Sequence, residues 1–110
     1  MFTPYRVTNI NEGLEQFRAM PDAVLLDVRT EEEYILGHLP DSLLLPLDEL
    51  EDTVEDEVPH KDTPVFVHCR SGARSAQAAA LLRKLGYARV ADLGGLNRYK
   101  GRLANAHAMP

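Results

Sequence analysis

The feature that most restricts how this chain can fold is a set of short apolar runs without polar alternation. Residues 23–28 read Ala-Val-Leu-Leu-Asp-Val, residues 43–45 are three leucines, and residues 63–67 read Thr-Pro-Val-Phe-Val. A strand with one wet face alternates apolar and polar side chains, whereas a strand covered on both faces reads as an almost continuous apolar run. Helical patterns lie between the runs. This alternation predicts an α/β fold in three layers, with a central, mainly parallel sheet of about five strands and helices on both faces.

Local signals place the other elements. Tyr5-Arg6-Val7 is a candidate edge strand, and Thr8 or Asn9 can cap a helix reaching about Met20, with Ile10, Leu14, Phe17 and Met20 on its core face. Thr30-Glu31-Glu32-Glu33 is a capping-box sequence for a short helix ending near Gly37. Asp48 can cap a helix through about Val58, with Leu47, Leu50 and Val54 inward. Its carboxylates read as a solvated face, because a hard cation requires converging oxygens rather than an exposed stripe. Residues 75–85 predict a helix ending near Gly86, residues 89–92 a further strand, and Gly94-Gly95 a turn into a last short helix around residues 96–99. No repeat or linker divides the chain. Residues 1–110 are expected to form one domain, with a core over about 5–103 and a frayed tail at 104–110.

Composition narrows the function. Twelve basic against seventeen acidic residues leave a net charge of −5, which argues against nucleic acid or an anionic membrane as partner. Any anion must be held by a local positive site. The single cysteine, Cys69, excludes an internal disulfide and a paired redox motif. The N-terminus lacks the basic segment and apolar stretch of a secretory leader, so the expected location is cytoplasmic and reducing. The expected state is a monomer or weak homodimer.

Cys69 stands where the 63–67 strand gives way to a helix, in His68-Cys69-Arg70-Ser71-Gly72-Ala73-Arg74-Ser75. Gly72 permits a turn that a side chain resists. A loop curled around the sulfur points successive N–H groups inward as an anion nest at a helix start. Ser75, directly before an alanine run, is the expected N-cap. Arg70 and Arg74 add full charges, and each of these features favours the thiolate. The same cradle, with Cys69 as nucleophile and Arg70, Ser71, Gly72, Ala73, Arg74 and Ser75 around it, suits an anionic substrate or a persulfide.

Three segments, in order, give the chain a specific resemblance. Leu25-Leu26-Asp27-Val28-Arg29 with Glu32, Glu33 and Tyr34 forms the first. Gly37-His38-Leu39-Pro40 followed by Leu43-Leu44-Leu45-Pro46 forms the second, and residues 67–75 form the third. The chain resembles a single-domain rhodanese, a sulfurtransferase whose active-site cysteine carries a persulfide. Gly86-Tyr87 and Leu93-Gly94-Gly95 extend the likeness over about residues 5–103. The chain departs from the family pattern at Asp41-Ser42, where Gly-Ala is usual, and in lacking a tryptophan after the double glycine, where Asn97 and Tyr99 stand instead.

The resemblance implies that Cys69 takes a sulfane sulfur from a small anionic donor such as thiosulfate and passes it to cyanide, a thiol or a protein acceptor. Arg70 and Arg74 would hold the donor, and the amides from Arg70 to Ser75 would stabilise the charged sulfur. No metal or organic cofactor is implied. The alternative is a persulfide-carrier or interaction module serving one protein partner, although inactive modules of this kind commonly lack the cysteine. Cysteine-dependent phosphatases place five residues between cysteine and arginine, where this chain places four (Arg70, Ser71, Gly72, Ala73).

Asp27 and Arg29 read either as a charge pair supporting the loop from below or as an ordinary strand-end pair. Strand alternation points His68 away from Cys69, which argues against a role as base. His38 belongs to the Gly-His-Leu-Pro turn and reads as structural, and His60 and His107 show no zinc-site spacing. Arg98, Tyr99 and Lys100 either line the pocket mouth or, for Lys100 with Arg102, complement the end of the last helix.

Overall fold

The computed structural model describes residues 9–105. Helix α1 (Ile10–Arg18) starts at Asn9, whose side chain accepts from the Glu12 amide as the cap. Strand β1 (Val24–Asp27) leads to helix α2 (Glu31–Leu36), opened by the complete Thr30–Glu33 capping box. Strand β2 (Ser42–Leu44) follows, then a 3₁₀ turn at Leu47–Glu49 and helix α3 (Leu50–Glu57). Asp48 makes no cap hydrogen bond. It lies inside that 3₁₀ turn, and Glu49 occupies the position before α3. Strand β3 (Val65–Cys69), helix α4 (Ala73–Lys84), strand β4 (Val90–Gly95) and a 3₁₀ turn at Leu96–Arg98 complete the order.

The strands form one parallel sheet in the order β2-β1-β3-β4. Among the described residues the sheet has four strands rather than about five, and the expected Tyr5–Val7 strand lies outside them. Both faces are covered, as the unbroken apolar runs require. On one face Leu26, Val65, Val67 and Cys69 pack with Leu50 and Val54 of α3 and Ala78, Ala79 and Leu82 of α4. On the other, Leu25, Phe66, Ala91 and Leu93 pack with Ile10 and Leu14 of α1. The three-layer α/β architecture is therefore present, and β3 carries Cys69 out of its centre.

Of the expected frayed tail, residues 104 and 105 lie among the described residues and are hydrogen-bonded. His38 and Ala104 exchange backbone hydrogen bonds at 2.8 and 2.7 Å, and the Asn105 side-chain amide donates to Leu36 O at 2.8 Å. These bonds tie residues 104 and 105 to the end of α2 and the turn after it. His38 is structural: its Nδ1 lies 2.8 Å from Tyr34 O and its ring stacks on Tyr34.

Candidate active site

Cys69 is the last residue of β3 and is almost wholly covered, at 1% exposure. Its partner across the sheet is Gly95, the last residue of β4. A register shift after Val67 pairs His68 with Gly94, leaving Leu93 as the extra residue, and the Asp92 carboxylate accepts from the Gly94 amide at 2.9 Å. Gly94-Gly95 is thus the bulged end of a strand rather than a turn. A Cβ on Gly95 would collide with the Asn97 side chain, with Arg70 O at 2.5 Å and with Ser71 Cα at 2.7 Å. Only glycine lets the loop after Cys69 lean over β4, where the Asn97 amide then donates to Arg70 O at 3.0 Å.

Helix α4 begins three residues earlier than an N-cap at Ser75 would allow. Gly72 takes the cap position with φ +111°, in the left-handed region that favours glycine, and no side chain caps the helix. Ser75 is instead buried in the first turn, its hydroxyl 3.1 Å from Gly72 O and 3.4 Å from Gly94 O. The Gly72 amide donates to Cys69 Sγ at 3.0 Å. Burial opposes the Cys69 thiolate. The Ser75 hydroxyl and the amides of Ser75, Gly72 and Ser71 outweigh it and bring the thiol below its ordinary value. The groups that favour the thiolate are thus the Ser75 hydroxyl and the loop amides rather than the arginines.

The two loop arginines behave differently. Arg70 is exposed and lines a cavity of about 310 Å³ with Arg29, Leu36, Leu96, Asn97 and Leu103. Arg74 is turned onto α2, where Nη1 and Nη2 donate to the two Glu33 oxygens at 2.7 and 3.0 Å. Glu33 also accepts from the Thr30 amide and hydroxyl at 3.0 and 3.1 Å, completing the capping box. Arg74 holds the Glu33 carboxyl at about 2, against an opposing push from burial.

A carboxyl so depressed stabilises the fold above its ordinary value near 4.5, and that contribution is lost as pH falls towards 2. Partial exposure reduces its worth to roughly 1–2 kcal/mol. Thermal melts across this window should show a smaller acid-induced drop for Glu33→Gln than for the unaltered chain. Parallel curves would show that the pair stabilises nothing.

Asp27 and Arg29 form a buried ion pair at the end of β1, the strand beside β3. Arg29 Nη2 lies 2.8 Å from Asp27 Oδ2 and donates to Gly37 O at 2.7 Å, while Asp27 Oδ1 accepts from the Arg29 amide at 3.0 Å. His68, opposite Asp27 in the sheet, points to the face away from Cys69. Burial drives its imidazole towards the neutral form, although Asp27 pulls the other way. Its Nδ1 faces Cys69 O at 3.2 Å, and Nε2 has no hydrogen-bond partner. Arg98 lines a second cavity with Ser71 and Gly95, whereas Tyr99 packs into the α1-side core. Among the described residues, no group of three His, Cys, Asp or Glu is placed to hold a metal ion.

A parallel α/β domain with a thiol in an amide nest, between a central strand and a helix, defines a class of cysteine-centred enzymes. The model of the rhodanese-like domain matches residues 7–102, and the chain belongs to that family. A sulfurtransferase of Allochromatium vinosum is 46% identical over 86 residues, covering 77% of this chain and 78% of the relative. The thiosulfate sulfurtransferase PspE of Escherichia coli is 37% identical over 71 residues, covering 64% and 68%. Other relatives are longer: the chain spans 22% of the adenylyltransferase and sulfurtransferase uba4 of Ogataea parapolymorpha and 30% of a tRNA uridine(34) hydroxylase of Salmonella newport. Among solved structures, a rhodanese with anions from E. coli superposes with a TM-score of 0.71 at 31% identity, covering 76% of this chain and 98% of that one. These relatives support a transferase. No helix among the described residues is long and apolar enough to cross a membrane.

Proposed function

We propose that the chain moves a sulfane sulfur from a small anionic donor such as thiosulfate, through a persulfide on Cys69, to a thiophilic acceptor such as a thiol or cyanide. The observation that carries this reading is the Gly72 amide donating to the buried Cys69 Sγ at 3.0 Å at the start of α4. The Cys69 thiolate attacks the outer sulfur of thiosulfate. The S–S bond breaks, and sulfite leaves with the electron pair. The persulfide anion stays in the nest, where preorganised amides stabilise the charge without reorganising. An acceptor thiolate then bonds to the outer sulfur, and the Cys69 thiolate is released. Each step balances without an external oxidant or reductant.

A single cysteine cannot discharge this persulfide by an internal disulfide, so the acceptor is a separate molecule. Relatives in which the matching stretch is a fraction of a longer protein support a carrier variant of the same chemistry, with a protein partner as acceptor. The exposed Arg70 would be the side-chain cation that meets the donor.

Incubation with thiosulfate and cyanide should yield thiocyanate. Arg70→Ala should raise the KM for thiosulfate about tenfold, the scale of one charge-assisted hydrogen bond, while Lys100→Ala leaves it unchanged. Folded protein that releases no thiocyanate and transfers no sulfur to dithiothreitol, but hydrolyses an aryl phosphate, would refute the reading.

A further inference from the structure

Charge is unevenly placed on this chain. The carboxylates of residues 48–57 are exposed on α3 and the turn before it, on the Cys69 side of the sheet. Residues 93–105 contain Arg98, Lys100 and Arg102 and no carboxylate. All three cations are exposed, as is Arg70, and none of the four has an ion-pair partner among the described residues. The 93–105 stretch passes the Cys69 loop, where the Asn97 amide donates to Arg70 O, and reaches the end of α2, where Ala104 pairs with His38. Leu96 and Tyr99 pack into the α1-side core, and the Asn11 side chain bonds Arg98 O and the Lys100 amide, so the backbone there is anchored. Arg70 and Arg98 line the two cavities beside the loop, together with one carboxylate each. Glu33 is neutralised by Arg74, which leaves Asp92, bonded to the Gly94 amide, against four cations. Leu36 and Leu103, at 71% and 43%, are the most exposed large apolar side chains among the described residues, and both line the Arg70 cavity.

Leucines left in water beside cations suit a contact surface better than a site for a small ion. The leucines also decide the class of partner. Nucleic acid offers phosphates to the cations and gains little from aliphatic side chains, whereas a protein surface covers both. Opposite charge on that partner steers it to this side of the molecule, away from the acidic α3. Resting on the sulfur-transfer reading above, we propose that this surface docks the sulfur acceptor, and that the acceptor is an acidic protein segment presenting a cysteine among apolar side chains. The acceptor thiolate bonds to the outer sulfur of the Cys69 persulfide. The bond from that sulfur to Cys69 Sγ breaks, and its electron pair returns to Cys69 as thiolate. The acceptor leaves as a persulfide. Lys100 and Arg102 act on the acceptor's approach and not on the reacting sulfur.

The test measures how fast two synthetic peptides and dithiothreitol discharge the persulfide-loaded chain, followed by intact mass. One peptide places glutamates and leucines around a single cysteine, and the other carries lysines in place of the glutamates. Lys100→Gln with Arg102→Gln should slow discharge by the acidic peptide about tenfold, the scale of two screened surface charges, and should not slow the lysine peptide. Thiosulfate loading and discharge by dithiothreitol should change by less than about twofold. Leu36→Ser, at a side chain too exposed to support the fold, should slow the acidic peptide about threefold. Salt at about 0.5 M should remove the charge effect in the unaltered chain, with no substitution at all. Each comparison is made within one peptide, so intrinsic thiol reactivity cancels. A double variant discharged by the acidic peptide as fast as the unaltered chain would overturn the proposal. So would a short single-stranded RNA, or a second copy of the chain in sedimentation, bound in the unaltered chain and released by the same double substitution. Failure of both thiosulfate and hydroxyethyl persulfide to load sulfur onto Cys69 would instead remove the sulfur-transfer reading, and the acceptor's role with it.

Discussion

Cys69→Ser should reduce sulfur transfer to the uncatalysed background while leaving the fold intact. The substitution exchanges one small, almost fully covered atom for another at the end of β3, so packing changes little. The chemistry changes completely. A serine hydroxyl in the same nest stays protonated at neutral pH, and oxygen cannot carry a transferable sulfane sulfur. Transfer rate and thermal midpoint, measured together, decide the matter: a lost rate with a midpoint within about 2 °C of the unaltered chain is the expected pair. Substantial residual transfer would place the nucleophile elsewhere.

Asp27→Ala should be the most damaging single change to stability, at about 3–5 kcal/mol, a large share of what a domain of this size has. The loss does not come from the attraction of the Asp27–Arg29 pair, which desolvation largely offsets. It comes from leaving Arg29, 5% exposed, as an uncompensated buried charge. Asp27 also accepts from the Arg29 backbone amide and stands opposite His68, so the same change loosens the rung below Cys69. The half-exposed Lys61–Glu55 pair is the natural control. Glu55→Ala should cost less than about 1 kcal/mol, because an exposed pair is screened by water. Urea denaturation of the two variants should separate them by several-fold, and a cost below about 1 kcal/mol for Asp27→Ala would contradict this account.

Strand positions were legible because burial on both faces writes itself locally, as in residues 24–27 and 65–69. Capping signals at Asn9 and Thr30 were equally local and recur in the structure. Side-chain preference misled at Ser75. The left-handed Gly72 took the cap, since the chain must turn sharply to bring amides onto the sulfur. Glu33 shows a different limit. Its capping-box role accounts for the residue completely, which hides its second contact with Arg74, 41 positions away. The same holds for Arg74: its charge is visible in a sequence, but its pairing with a distant carboxylate is not. The role of Gly95 was also hidden, because a missing side chain signals a close approach without naming what approaches.

The central claim is that Cys69 carries a sulfur between two molecules. It is tested most directly by intact mass spectrometry of the chain before and after excess thiosulfate, followed by a thiol acceptor. The account predicts a gain of one sulfur atom, absent in Cys69→Ser and discharged when the acceptor is added. An unchanged mass with both thiosulfate and an organic persulfide, in protein whose Cys69 still reacts with iodoacetamide, would contradict it.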